Sequence, residues 1–301
     1  MNEFFEIYKR NFPFIVRADN TVAYILENKS NKFITKRNEQ NRLIGLSVIN
    51  NDTIILLCVD REYRNKGIGT ELLKMSEETI LGEGYNEVTV GAGFDYIMPG
   101  VPIPKGYFKS ENESIYSNIS EGAGCFFTKR GYSHSWGCDC FDMRLPLTDF
   151  TKEKYTIGDT IDGISYRWAK LYDLDEICRC TDDACMDFTT YYKYENLYNE
   201  NSSQRVLIAV KNNEVAGALI VSVEAEGAGL GSVGCTAVKR SFQGKHIAVN
   251  LVTLGTKYLK DSGMREAFLG YTYTGLDHLY GYAGYKICIY YMMAKKEITS
   301  C

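Results

Sequence analysis

The chain has 301 residues, 45% apolar and 24% charged, which excludes a disordered or collagen-like polypeptide and predicts about two domains. A net charge of −4 speaks against a nucleic-acid partner, because phosphate contacts need a basic face. No apolar run approaches the roughly 20 residues that span a bilayer. Met1-Asn2-Glu3-Phe4-Phe5-Glu6 carries acids where a secretion signal needs a basic end, so a cytoplasmic protein without a membrane partner is expected.

Taken in chain order, Asn2–Arg10 has a helix-like pattern and Leu43–Ile49 reads as a strand. Thr53–Val59 is a continuous apolar run, as in a strand buried on both faces. The polar, basic turn Arg64-Asn65-Lys66-Gly67-Ile68-Gly69 comes after it, then a helix with Ile68, Leu72, Met75 and Thr79 on one face. Gly82 and Gly84 end that helix, and Glu87–Val90 is the next strand. Beyond the polar linker Pro146–Tyr155, strands are expected near Gly163–Ala169 and Val215–Val223. A helix carrying Ile247, Leu251, Leu254 and Tyr258 comes next, then a strand at Glu266–Leu269.

Residues 59–91 align without gaps on residues 238–270 at a single offset of 179. Val59 meets Val238, Arg61 meets Arg240, Tyr63 meets Phe242, Lys66 meets Lys245, Gly84 meets Gly263 and Gly91 meets Gly270. Shared helix patterning would give the apolar matches but not the glycines and basic residues, so two copies of one α/β domain are read, 1–148 and 149–301. From Gly91 to Gly131-Tyr132 the first copy is 26 residues longer than the second is from Gly270 to Gly284-Tyr285. This insertion, 94–122, includes Met98-Pro99-Gly100-Val101-Pro102-Ile103-Pro104. No first strand is found in the first copy. The bare sheet edge this leaves is an aggregation hazard, and a strand from elsewhere in the chain, such as the segment just after the linker, is expected to cover it.

Ten cysteines are present, but a chain this long does not need disulfides, and free thiols are expected. Cys138/Cys140 and Cys178/Cys180, with Cys185 nearby, have no histidine beside them. A metal site is therefore not expected. Cys58 and Cys235 are read as buried small residues at matching strand positions, since neither has an adjacent base.

The Arg64–Thr70 turn joins a buried strand to a helix start, where unpaired N–H groups and the positive helix end suit a pyrophosphate. It is neither a Walker loop nor a dinucleotide-binding GxGxxG. With Arg64, Gly67 and Gly69 it resembles the Arg/Gln-x-x-Gly-x-Gly/Ala signature of the GNAT N-acetyltransferase superfamily. The second copy shows Gln243, His246 and Ala248 in those places. The Gly-aromatic segments Phe126–Tyr132 and Leu279–Tyr285 are similar to the end of the family's last helix and the Gly-aromatic pair beyond it. Pro99–Pro102 resembles a loop of a tandem-domain subgroup.

The resemblance implies two tandem domains with mixed α/β sheets and direct transfer of acetyl from acetyl-CoA to the amine of a small molecule, without a metal. Cys58, Val59, Arg64, Asn65, Lys66, Gly67, Ile68, Gly69 and Thr70 would hold the co-substrate. The N–H near Cys58-Val59 would steady the thioester oxygen. The tyrosine that protonates the leaving thiolate in many relatives corresponds to Phe127 and Tyr280. Asp95 is the candidate amine base, with a solvated loop carboxylate as its bland alternative. The first copy is expected to be the acetyl-CoA site, because His246 stands where a glycine admits phosphate. A protonated His246 that itself contacts phosphate is the opposing reading. Two further functions stay open, a non-catalytic acyl-CoA-binding protein and transfer of a longer acyl group. The insertion is expected to shape the amine site, with its prolines stiffening a lid and Lys109–Ser120 as the polar remainder. A monomer or homodimer is expected.

Overall fold

Runs such as Leu43–Asn50 and Thr53–Val59 are apolar at successive positions, so their strands must be covered on both faces, and a helical layer on each side follows from that. The computed structural model describes residues 3–91, 96–104, 121–184 and 189–299. In its first part the elements are α1 (Glu3–Asn11), α2 (Asp19–Leu26), β1 (Lys32–Arg37), β2 (Leu43–Asn50), β3 (Thr53–Val59) and α3 (Ile68–Gly82). Then come β4 (Glu87–Val90), β5 (Val101–Pro104), α4 (Gly122–Thr128), β6 (Ser133–His134) and β7 (Cys140–Pro146). The second part has β8 (Thr160–Ile161), β9 (Ile164–Trp168), α5 (Leu174–Ala184), α6 (Thr189–Tyr192), β10 (Gln204–Lys211) and β11 (Glu214–Ser222). It continues with β12 (Leu230–Val238), α7 (Ile247–Asp261), β13 (Glu266–Tyr273), α8 (Asp277–Ala283), β14 (Lys286–Met292) and β15 (Ala294–Glu297). Two compact units result, one of Met1–Phe141 with Ile289–Cys301, the other of Asp142–Cys288. They differ from a cut at 148/149 in that residues 142–148 belong with the second unit and the chain end with the first.

In the first unit the strand order is β1-β2-β3-β4-β15-β6. β3 and β4 are parallel, whereas β15 is antiparallel to both β4 and β6. Helix α3 buries Leu72, Leu73 and Ile80, and its buried Ser76 bonds to Ser47 of β2 at 2.8 Å. The core around Ile54, Val88, Val90 and Phe127 takes in Met292, Ala294 and Ile298 from the chain end.

The expectation about the bare edge is corrected here. Among the described residues no strand pairs with the outer side of β1. Lys32, Lys36 and Arg37 guard that edge instead, with Lys36 paired to Glu71 at 2.5 Å, and charge on an edge strand discourages pairing with other chains. The strand that does arrive from afar, β15, comes from the chain end and sits between β4 and β6. Nor is the linker solvated at its start, since Leu147 and Phe150 are buried.

In the second unit the order is β14-β7-β13-β12-β11-β10-β9-β8. Strand β9 is the one expected near Gly163–Ala169. Strand β7, which precedes the linker, lies between β14 and β13, and its Arg144 bonds Glu266 of β13 at 2.6 Å.

Buried tyrosines are a feature of both units. Tyr132, Tyr192, Tyr198, Tyr280 and Tyr285 all have hydroxyl pKa values raised first by burial, that of Tyr280 to about 12. A tyrosine raised above its ordinary value of 10.0 contributes stability that is complete below pH 10 and lost as pH climbs through the folded value. The rise at Tyr280 alone corresponds to about 3 kcal/mol. Alkaline titration should therefore show exposed tyrosines ionising first and a buried set ionising only together with unfolding, followed by tyrosinate absorbance and circular dichroism. Smooth ionisation of all tyrosines in a folded protein would contradict this.

Candidate functional site

The 64–70 turn is built by backbone conformation. Gly67 is the N-cap of α3 with φ +84°, and Asn65 has φ +60°, both in the left-handed region. Among the described residues no side chain caps the helix, so the first-turn N–H groups of Ile68, Gly69 and Thr70 lack a side-chain partner there. A Cβ at Gly67 would meet no protein atom within 4 Å, so glycine is needed there for backbone conformation and for an open approach. At Gly69 a Cβ would lie 3.4 Å from the Phe126 ring, ordinary contact.

The charged side chains of the turn have partners beside it. Arg64 donates through Nε to the Val59 carbonyl at 2.9 Å and through Nη2 to Asn11 at 2.8 Å. Lys66 lies over the Tyr63 ring at 5.2 Å. Both side chains thus brace the turn. The cation set against the helix start is Arg130, which sequence reasoning passed over. Its Nη2 donates to Thr70 Oγ1 at 2.7 Å, its Nη1 to the Phe126 carbonyl at 2.7 Å, and its plane covers the Phe126 ring at 3.9 Å. The signal was present in the quoted segment, where Arg130 immediately precedes Gly131-Tyr132.

The second copy repeats two of these contacts. Gln243 donates to the Val238 carbonyl at 3.5 Å, as Arg64 does to Val59, and Lys245 lies over the Phe242 ring at 4.8 Å, as Lys66 does over Tyr63. His246 is the N-cap of α7 with φ +57°, so it holds the left-handed conformation of Gly67 while adding an exposed imidazole.

The turn is anchored through Asp60, a buried carboxylate. It accepts from Asn11 Nδ2 at 2.9 Å, from Arg10 Nη2 at 3.1 Å and from Arg42 at 3.0 Å, and Asn11 passes the bracing on to Arg64. Arg10 and Arg42 are partly exposed and can rehydrate when the carboxylate goes. Asp60→Ala should therefore cost about 2–3 kcal/mol, the value of charged hydrogen bonds lost, rather than a full buried-charge penalty. Urea unfolding of the variant measures it. A change below about 0.5 kcal/mol would show that Asp60 does not anchor the turn.

Strands β3 and β4 pair only at Thr53↔Thr89 and Ile54↔Val90, then part. Beyond that point, among the described residues, the outer edge of β3 has no strand partner. Asp60 N donates to the Ile44 carbonyl, and with the register Leu46↔Cys58 this turns Cys58 and Leu56 toward β2, and Leu57 and Val59 toward the opening. Of the expected pair, then, Val59 faces the site with its backbone and Cys58 does not. The Cys58 thiol is buried, which pushes its pKa up to about 12 and makes it inert. Cys58 pairs like Ala237, while Cys235 lies in the irregular stretch of β12 with φ +51°, so the two cysteines do not occupy matching positions.

An apolar cavity of about 40 Å³ occupies the fork of β3 and β4. Leu56 and Leu57 line it from β3, Phe127 from α4, Phe12 from the end of α1, and Met98 and Val101 from the insertion. Residues Met98–Val101 are held there by backbone contact. A Cβ on Gly91 would lie 2.6 Å from the Gly100 Cα, and one on Gly100 would lie 2.5 Å from the Met292 carbonyl oxygen. Pro102 and Pro104 belong to strand β5, an outer strand paired with Ile289–Met292, where a missing donor is tolerated. That arm is thus sheet rather than lid. Lys109–Ser120 and Asp95 lie outside the described residues.

Phe127 packs edge-on against Phe126 and Tyr132, with ring centroids 5.1 and 5.2 Å away. In the second unit Tyr280 is buried, and its hydroxyl is 3.2 Å from Thr236 Oγ1, beside Cys235 in β12. Tyr192, also buried, donates its hydroxyl to the Cys235 carbonyl. Among the described residues no cluster of His, Cys, Asp or Glu could hold a metal ion, and no helix is long and apolar enough to cross a membrane.

Comparison with known proteins places this geometry. The family described as "Acetyltransferase (GNAT) domain" matches residues 8–93, and the "Acetyltransferase (GNAT) family" matches residues 168–285. No curated protein matches the chain. Three solved structures share the fold over nearly its whole length. One, from Sphaerobacter thermophilus, is a GCN5-related N-acetyltransferase with 17% identity and TM-score 0.65, covering 99% of this chain and 92% of its own. Another is a tandem GNAT protein from the clavulanic acid biosynthesis pathway, with 14% identity, TM-score 0.68 and coverage of 99% and 95%. The third is a glucosamine N-acetyltransferase region in a fungal multi-domain β-N-acetylglucosaminidase, with 18% identity and TM-score 0.69. It covers 97% of this chain, which spans 36% of the fungal one. With a family match in each half and the fork and helix-start turn present in both, the chain belongs to the GNAT acetyltransferases and carries two such domains in tandem.

Proposed function

We propose that the first unit transfers an acetyl group from acetyl-CoA to the amine of a small molecule by direct attack. The observation that carries this is the joining of an open, uncapped helix start at Gly67–Thr70 to an apolar cavity at the fork of β3 and β4, within one unit. In this reading the N–H groups of Ile68, Gly69 and Thr70 hold the pyrophosphate, with Arg130 beside them. Val59 and Leu57 offer their outward N–H groups to the co-substrate, and Leu57, which lines the cavity, holds the thioester oxygen. Acetyl-CoA supplies the activated acyl group. Asp95 takes the proton of the attacking amine.

Phe127 leaves the first unit without an acid at the helix position where the second has Tyr280. A free thiol pKa near 8.5 means that an unprotonated leaving group costs only about 2 kcal/mol at neutral pH, a tolerable loss. The same phenylalanine favours a second reading, an acyl-CoA-binding protein without turnover. Mixing the protein with acetyl-CoA and a panel of small amines, glucosamine included, and following thiol release separates them. Amine-dependent release supports transfer. Tight binding without release across a broad panel supports the second reading.

A further inference from the structure

We propose that the cavity at the fork of β3 and β4 limits the length of the acyl group, with Met98 and Phe127 as its limiting walls. The base of the insertion thereby serves acyl selection rather than the amine. The proposal rests on the first unit being the acyl-CoA site and adds to that reading the chain length the site accepts.

The cavity is about 40 Å³, room for about three waters at about 10–15 Å³ each, so it takes a short acyl tail of about three carbons and not a longer chain. Its walls are mostly aliphatic and aromatic, which favours an alkyl group over a polar one. Its position matters as much as its size. Leu57, whose backbone faces the opening, is also a wall, so an acyl carbon attached to a carbonyl held at Leu57 enters this space directly.

The limiting walls cannot easily yield. Phe127 is buried and fixed edge-on between Phe126 and Tyr132. Met98 is buried two residues before Gly100, whose Cα approaches Gly91 and the Met292 carbonyl too closely for any side chain, so the segment that carries it is fixed to the sheet. Phe12, another wall, stacks on Tyr8 with centroids 5.8 Å apart. A methylene too many must displace one of these groups. In a hydrophobic pocket one methylene is worth about 10–200-fold in discrimination.

The test is calorimetric binding of CoA, acetyl-CoA, propionyl-CoA, butyryl-CoA and hexanoyl-CoA to the full chain, which needs no knowledge of the amine. In the unaltered protein acetyl-CoA, propionyl-CoA and butyryl-CoA should bind within a few-fold of one another, with hexanoyl-CoA about tenfold weaker. In Met98→Ala and in Phe127→Ala the ratio of hexanoyl-CoA to acetyl-CoA affinity should rise at least fivefold. Should either fail to fold by circular dichroism, Met98→Val and Phe127→Leu should shift the ratio in the same direction by a smaller factor. Equal binding of all four acyl-CoAs by the unaltered protein would overturn the proposal, as would a ratio that no variant moves. Failure of the underlying reading looks different. CoA itself would then bind undiminished to Gly67→Val, and that result would also overturn acyl selection at this fork.

Discussion

A chain ending at Cys288 is expected to lose the fold of its first unit. The missing segment includes Tyr291, Met292, Met293 and Ile298, all buried, and at about 1.5–3 kcal/mol each their burial is worth roughly 6–12 kcal/mol. That equals most or all of the roughly 5–15 kcal/mol by which a domain is stable. Polar links go with them. Lys295 pairs with Glu87 at 2.6 Å, and Lys296 bonds Glu77 at 2.9 Å, the same carboxylate that accepts from Tyr132. Met293 N donates to His134 Nδ1 at 3.0 Å, and β4 loses its antiparallel partner altogether. Urea unfolding and limited proteolysis should show residues 3–141 cut early in the truncated chain and protected in the full one. Equal protection would mean that β15 is dispensable.

Gly67→Val should abolish acetyl-CoA binding, weakening it at least 100-fold. A β-branched residue resists φ +84°, at a cost of about 1–2 kcal/mol, and its Cβ and methyl groups occupy the open approach to the first-turn N–H groups. Together these remove the anion-binding geometry and leave the remaining core unchanged, so thermal stability should fall by only a few degrees. His246 shows that the left-handed conformation alone can be met by a histidine. Gly67→His therefore separates the two effects. It should retain the turn and still weaken binding, because its side chain stands in the approach. Undiminished binding to both variants would mean that the turn holds no phosphate.

Much of this arrangement is legible in the residues. The 179-residue offset joins positions that behave alike in three dimensions, down to Arg64 and Gln243 on equivalent carbonyls and Lys66 and Lys245 on equivalent rings. Strand β3 and helix α3 are clear because each satisfies one period over many residues. The role of β15 is hidden for the opposite reason. Ala294–Glu297 is four residues long, mostly charged, and its partners lie about 160 and 200 positions away, so no local pattern marks it.

Direction along a strand is also beyond sequence. Whether Cys58 or Leu57 faces the opening depends on the register with β2 and on the irregularity between Val48 and Ile49, and a shift of one residue reverses the answer. Nor does charge alone reveal that Arg64 also engages a carbonyl, and Lys66 a ring, within the turn. Pro102 and Pro104 look like lid stiffeners because the partner strand that makes them an edge comes from residues 289–292.

The most direct measurement of the central claim is the stoichiometry of acetyl-CoA binding to the full chain by calorimetry, repeated with His246→Gly. One site per chain is predicted, unchanged in affinity when His246 becomes glycine. Two equal sites in the unaltered protein, or a single site whose affinity moves with His246 and not with Gly67, would contradict placement of acyl transfer in the first unit.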